Sequence, residues 1–192
     1  MSDEIKETND TPQEKESSFS LGDEILEWAE SFVFAIFIVI LVFTFIFRVV
    51  QVDGSSMEDT LNDHDRLILT HFNYTPERGD IVVINSKGLN ETIIKRVIAV
   101  EGDTISIDFD SGDVTLNGEV LQEDYIKEKT RLYEGREIQD MKIGKGEVFV
   151  MGDNRMHSSD SRSPQVGVIS IDDILGKAIF RIYPLNKAGS VS

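Results

Sequence analysis

The feature that most constrains this chain is an apolar run near its start. From Ser31 to Phe47 no residue carries a charge, and residues 32–47 are apolar throughout except for Thr44. At ~1.5 Å per residue a helix over that run is about 26 Å long, and continuation to Val50 gives about 30 Å, one hydrocarbon core. Strands are far shorter, and a globular helix is apolar all round only inside a much larger protein. The run therefore predicts a single transmembrane helix. Leu21, Ile25 and Trp28 share one face of a helical lead-in, and Trp28 suits a membrane interface. Arg48 is placed to snorkel to the far headgroups. The residues ahead of the run are acidic rather than basic, and no small-x-small site follows Phe47. An uncleaved anchor is expected rather than a removed leader.

Charge and cysteine content narrow the function. The first thirty residues hold ten acidic and two basic side chains, and the whole chain of 192 residues has a net charge of −16. Nucleic acid wants a basic face, so no nucleic-acid partner is expected, nor electrostatic docking to anionic lipid. There is no cysteine, which excludes disulfides, thiolate nucleophiles and thiolate metal sites. Residues 1–22 are too polar to bury enough surface to offset ordering entropy, and are expected to be disordered.

Beyond Val50 the pattern changes to period two. Candidate strands are Val49–Val52, Arg66–Thr70, Asp80–Asn85, Thr92–Val100, Thr104–Phe109, Val114–Leu116, Glu147–Met151 and Ala178–Tyr183. Glycine turns separate them, and Asn117-Gly118 between two short apolar runs predicts a two-residue hairpin. Many short strands with frequent turns predict a mainly β, antiparallel barrel or sandwich. Residues 122–146 read as an inserted or flexible excursion, and Met57–Asn62 as a turn or two of helix. The expected organisation is an acidic tail (1–22), the lead-in and single transmembrane helix (23–50), a β-rich catalytic domain (51–186) and a short C-terminal tail (187–192).

Two residues point to chemistry. Ser56 sits on a glycine turn directly after the first strand. Lys95 lies in Thr92–Val100, where alternation puts Ile93, Lys95 and Val97 on one face and Ile94, Arg96 and Ile98 on the other. Both faces are largely apolar, so at least one of the two cations is expected among hydrophobic neighbours. A desolvated lysine loses its proton more easily, and the neutral amine takes a serine proton as general base. His64, His71 and His157 lie in polar turns with no carboxylate partner evident, which leaves a Ser-His-Asp triad poorly supported.

Four ordered blocks carry a family resemblance: Ser56-Met57-x-x-Thr60-Leu61; Arg78-Gly79-Asp80-Ile81-Val82; Lys95-Arg96-Val97-Ile98 with Gly102-Asp103; and Gly152-Asp153-Asn154-Arg155-x-x-Ser158-x-Asp160-Ser161-Arg162. With an anchor directly before them, they resemble the bacterial type I signal peptidases, membrane-anchored serine proteases that remove signal peptides from exported proteins. The resemblance implies Ser56 as nucleophile, Lys95 as general base, and Ser158 hydrogen-bonded to the lysine amine. It implies Asp153 paired with Arg96 and Asp160 with Arg162. It assigns the Ser56 N–H to the oxyanion, and Gly54, where some relatives have a serine hydroxyl, leaves the second donor open. Where the family often has proline, this chain has Asp59.

The resemblance further implies that Val52, Met57, Leu61, Ile93 and Ile94 line shallow pockets selecting small side chains. The substrates are then exported preproteins cut after small-x-small sites, with no cofactor and no metal. The implied location is a single pass through the cell membrane, with the N-terminus cytoplasmic and the catalytic domain extracytoplasmic beside the lipid bilayer. Two other readings compete. A Ser-Lys self-cleaving repressor needs a DNA-binding domain and a basic surface. An anchored β-domain that only binds a partner leaves the serine and lysine incidental.

Overall fold

A computed structural model describes residues 21–71, 74–131 and 138–191. Residues 1–20 of the expected disordered tail lie outside the described residues, and its last two, Leu21 and Gly22, are helical. The chain divides into two compact units, 1–41 and 42–192. In the first lies most of a helix, α1, Leu21–Ile46. The described side chains of α1 from Trp28 to Leu41 are all exposed. Among the described residues, no helix is long and apolar enough to cross a membrane. Those of α1 include Glu24, Glu27 and Glu30, and the side chains of 42–46, where the apolar run continues, lie outside the described set.

The helix does not run on to Val50 as expected. It stops at Ile46, and Phe47–Gln51 form the first strand, β1. Its residues pair in antiparallel register with β2, Arg66–Thr70. Val49 and Val50 suit a pleated ladder better than a helix, and tertiary pairing decides in favour of the strand.

The second unit continues with β3 (Ile81–Ser86), β4 (Glu91–Ala99), β5 (Thr104–Asp108), β6 (Asp113–Leu116), β7 (Glu119–Val120), β8 (Ile138–Lys142), β9 (Glu147–Met151), β10 (Ile169–Ser170), β11 (Ile174–Tyr183) and β12 (Gly189–Ser190). They form two antiparallel sheets. The larger follows the order β1-β2-β11-β3-β4-β9-β10 with β12 on β11, and the smaller follows β7-β6-β5-β8. The predicted hairpin is β6–β7: Leu116 faces Glu119 in register, and Asn117 and Gly118 both take positive φ, 53° and 88°. A two-residue loop of that hand matches the twist of its strands.

Three apolar clusters hold the sheets. Ile98, Ile105, Leu116, Ile138 and Phe149 join the small sheet to the ends of β4 and β9. Leu67, Leu69, Ile81, Val83 and Ala178 fill one face of the large sheet, and Val82, Ile84, Val97 and Val150 fill the other. Burial on both faces explains why β3 reads as a continuous apolar run rather than an alternation.

Two expectations are corrected. Met57–Asn62 is a succession of turns, with a single helix-like bond from Leu61 N–H to Met57 O at 2.8 Å, and not a helix. The segment 122–146 is not a loose excursion where it is described. It contributes β8, and Glu123 accepts two bonds from the buried Arg155 at 2.8 and 2.5 Å. Arg155 also donates to Thr130 Oγ1 at 2.8 Å.

Candidate active site

Ser56 is half-buried in the turn that follows β1, and Lys95 projects from the middle of β4, only 3% exposed. Lys95 lies opposite Val82 in register, on the same side of β4 as Ile93 and Val97. Arg96, on the other side, is 2% exposed, so the strand buries both of its cations. Such burial is tolerated only where partners exist or the charge is given up. Arg96 takes the first course, and burial moves Lys95 toward the second by lowering the pH at which it loses its proton.

The Lys95 amine lies 2.8 Å from Ser56 Oγ and donates to Ile94 O at 2.9 Å. Desolvation by burial lowers its pKa from 10.5 to about 8. The charges of Asp160, Glu91 and Asp153 oppose that fall, and Arg162 assists it. A sizeable fraction of neutral amine at mildly alkaline pH, in contact with a hydroxyl, is what a serine nucleophile needs of its base.

Arg96 donates to Asp153 through Nε at 2.9 Å and Nη2 at 2.8 Å, and to Gly79 O through Nη1 at 2.7 Å. Asp153 is fully buried. It also accepts from Thr60 Oγ1 at 2.5 Å. One carboxylate thus ties the turn that carries Ser56 to the strand that carries Lys95. The Tyr125 ring stacks on the Arg96 guanidinium, 4.1 Å from its centroid, a cation–π contact over the same ion pair. Thr60 and Tyr125 were not assigned roles from sequence. Thr60 stood within a recognised block, whereas Tyr125 stood in a charged segment with no pattern.

The second expected pair is also present. Arg162 donates to Asp160 through Nε and Nη2, each at 2.8 Å, with both residues fully buried. Asp160 further accepts from Gly152 N–H at 2.9 Å. Ser158 departs from expectation. Its hydroxyl donates to Asp160 Oδ2 at 2.7 Å, and the described hydrogen bonds of the lysine amine go to Ser56 and the Ile94 carbonyl instead. A carboxylate is the stronger acceptor, and it draws the Ser158 proton.

Beside the dyad opens a cleft of about 420 Å³. Its lining includes Val52, Met57, Ile93 and Ile94 as expected, with Asp53 and Glu91 at its polar margin. Leu61 is not among the lining residues. It is fully buried in the core cluster with Met57 and Leu67, where it supports the pocket floor from behind. The cleft runs between β1 and the start of β4.

The histidines contribute little here. His64 has a carboxylate neighbour that spacing did not reveal, Asp63 at 3.3 Å, but the pair is exposed and the ring also meets Gln51. Among the described residues no group of three or more His, Cys, Asp or Glu side chains is placed to hold a metal.

Comparison with known proteins adds an independent line. The sequence profile of the family described as "Signal peptidase, peptidase S26" matches residues 25–183. The chain is 34% identical over 181 residues to signal peptidase I P of Bacillus subtilis subsp. natto, covering 90% of this chain and 96% of that one. It is 36% identical over 171 residues to signal peptidase I T of Bacillus subtilis strain 168, covering 84% and 87%. A crystal structure of a signal peptidase I from Enterococcus faecalis V583 covers 54% of this chain and 97% of that chain, at 27% identity and a TM-score of 0.44.

Proposed function

This chain belongs to the signal peptidase, peptidase S26, family, and from that premise we propose that it removes signal peptides from exported preproteins with Ser56 and Lys95 as its catalytic dyad. The observation that carries the assignment of the dyad is the 2.8 Å approach of a buried amine to the serine hydroxyl at the edge of an open cleft. An anchored binding domain has no use for that contact, and the repressor alternative falls with membership of the family.

The geometry supports a simple sequence of steps. Neutral Lys95 Nζ accepts the Ser56 proton as Oγ attacks the scissile carbonyl. The resulting oxyanion is held by the Ser56 N–H. Collapse breaks the C–N bond, and the lysine ammonium returns its proton to the leaving amine. The ester left on Ser56 is then hydrolysed by a water whose proton goes to Lys95 and from there to the departing Ser56 Oγ, which restores the hydroxyl and the neutral amine. In this reading Val52, Met57, Ile93 and Ile94 line the part of the cleft that receives the small side chains before the cut.

Membrane anchoring belongs to the same proposal. What supports it is the uncharged run from Ser31 to Phe47 and the exposure of large apolar side chains along α1, among them Trp28, Phe32, Val33, Phe34 and Phe37. The domain from Phe47 onward is then extracytoplasmic, where preproteins emerge, and the N-terminus cytoplasmic. Tethering raises the effective concentration of enzyme at the membrane face.

The test is cleavage of a preprotein by the full chain in detergent. Ser56→Ala and Lys95→Ala each abolish cleavage, as does Lys95→Arg, because a guanidinium does not deprotonate. Cleavage retained by either alanine variant removes the dyad. Because the chain lacks cysteine, single cysteines introduced before and after the apolar run in sequence report its orientation. An impermeant thiol reagent labels position 110 in intact cells and not position 10. The reverse pattern overturns the topology.

A further inference from the structure

The turn that bears Ser56 is held by its carbonyls, and one residue holds two of them. Ser55 O accepts from Glu58 N–H at 3.1 Å and from Asn154 Nδ2 at 3.1 Å. Ser56 O accepts from Asn154 N–H at 3.0 Å. Gly152 permits this close approach, since a Cβ there would lie 2.5 Å from Ser56 O. Asn154 therefore grips the chain on both sides of the Ser56 Cα, once through its backbone and once through its side chain.

The side-chain contact has a consequence for the N–H of Ser56. The Ser55 carbonyl and the Ser56 N–H belong to one planar peptide unit, and in the trans form they point in opposite directions. The cis bonds in the described chain are Glu58–Asp59 and Tyr183–Pro184, so this unit is trans. Fixing the Ser55 carbonyl fixes the N–H. A peptide flip reverses both groups with little movement of the flanking Cα atoms, and it is opposed where the carbonyl is engaged by two donors. The Ser55 carbonyl faces the Gly152–Asn154 segment, and the Ser56 N–H faces away from it.

We propose that Asn154 is a positioning residue for the oxyanion site: its side-chain amide holds the Ser55 carbonyl and so keeps the Ser56 N–H aimed at the oxygen that becomes negative. This rests on Ser56 acting as the nucleophile. The carbonyl can only accept, so the role requires a donor at position 154. Alanine keeps the backbone bond to Ser56 O and removes the hold on the peptide plane. Aspartate keeps the size of the side chain, cannot donate when ionised, and repels the carbonyl.

The experiment uses the full chain in detergent. It measures kcat and KM for a preprotein-derived peptide, and inhibition by a peptide aldehyde, whose adduct with Ser56 puts an oxyanion in the same place. Loss of a whole oxyanion donor costs about 10²–10³ in rate, and loss of its alignment is expected to cost Asn154→Ala about 10–100-fold in kcat. KM is unchanged, the pH profile set by Lys95 is unchanged, and aldehyde affinity falls by the same factor as kcat. Asn154→Asp loses at least as much, and it carries the test if the alanine variant does not fold. A loss in KM with kcat intact overturns the inference, as does a loss in kcat with aldehyde affinity preserved or a wild-type rate in Asn154→Asp. An inactive wild type, or an active Ser56→Ala, instead overturns the dyad itself.

Discussion

Replacing Lys95 with methionine should make this protein harder to unfold at neutral pH, and the gain should fade as the pH rises. The amine titrates near 8 in the folded chain and near 10.5 when unfolded, because burial disfavours its charged form. Below pH ~8 both states are protonated, and the folded state carries the whole desolvation penalty. The two values differ by about 2.5 pH units, and at ~1.36 kcal/mol per unit the penalty is about 3 kcal/mol. As pH rises from ~8 to ~10.5 the folded chain sheds its proton while the unfolded chain keeps one. The unfolded state then binds more protons, so wild-type stability climbs and the penalty disappears.

Methionine has similar length and no charge, and its contribution is flat with pH. It also forfeits the bonds to Ser56 Oγ and Ile94 O, at about 1 kcal/mol each. The net gain at pH 7 is therefore about 1–2 kcal/mol, and that offset is the less diagnostic quantity. The diagnostic quantity is the stability of the variant minus that of the wild type, which falls by about 2 kcal/mol between pH 8 and pH 10 and so reaches zero or changes sign there. Urea unfolding of the full chain in detergent, followed by far-ultraviolet circular dichroism at several pH values, measures it. The single tryptophan, Trp28, lies in α1 and is no reporter on the β unit. Stability curves for the two proteins that run parallel from pH 7 to 10.5 would show that Lys95 keeps its ordinary pKa, and the reasoning about the base would fail with them.

The cleavage rate itself should follow the same ionisation, with kcat/KM rising through about pH 8 as Lys95 loses its proton. Glu91→Gln should displace that profile to lower pH, most visibly at low salt, since the Glu91 charge raises the lysine's pKa; an unmoved profile refutes the coupling. Arg96→Met leaves Asp153 buried and charged, and should cost about 3–5 kcal/mol in urea unfolding. Arg96→Met with Asp153→Asn should recover part of that loss, and a double variant no more stable than the single one counts against the ion pair as the cause.

Much of the architecture is legible in local pattern. β2 and β9 occupy Arg66–Thr70 and Glu147–Met151, where β-branched and apolar residues form short runs between turns. The Asn117-Gly118 hairpin follows from two residues that accept positive φ. β8 was missed because Ile138–Lys142 carries a charge at Asp140 and another at Lys142 within a polar segment, and it becomes a strand through its pairing with β5. β10 and β12 span two residues each, too short for any periodicity. In the site, the dyad and the two ion pairs were legible because each partner sits in a recognisable block. Ser158 differs because the resemblance implied a bond from its hydroxyl to the lysine amine, and a resemblance does not say which acceptor takes that proton in this chain. Asn154 stands in the last block but takes no role from it, because its partners are backbone carbonyls 98 and 99 residues earlier, and carbonyls leave no mark on sequence.

The arrangement around Lys95 also explains why a base can coexist with so many buried carboxylates. Asp160 and Asp153 both act to keep the amine protonated, and Asp160 is the strongest of the opposing charges. An unpaired carboxylate there would hold the proton on Lys95 and silence it at neutral pH. Asp160 is instead committed to Arg162 by two bonds of 2.8 Å, and Asp153 to Arg96 by two of 2.8–2.9 Å. Each carboxylate is then felt by the lysine as one end of a dipole rather than as a full charge, and Arg162 itself pushes the amine toward neutrality. The arginines thus do two things at once. They make buried aspartates tolerable as braces for the last block, and they keep those braces from disabling the base. Desolvation is left as the dominant influence on Lys95, and so the fold, by excluding water from one amine, sets the pH at which the serine can be activated.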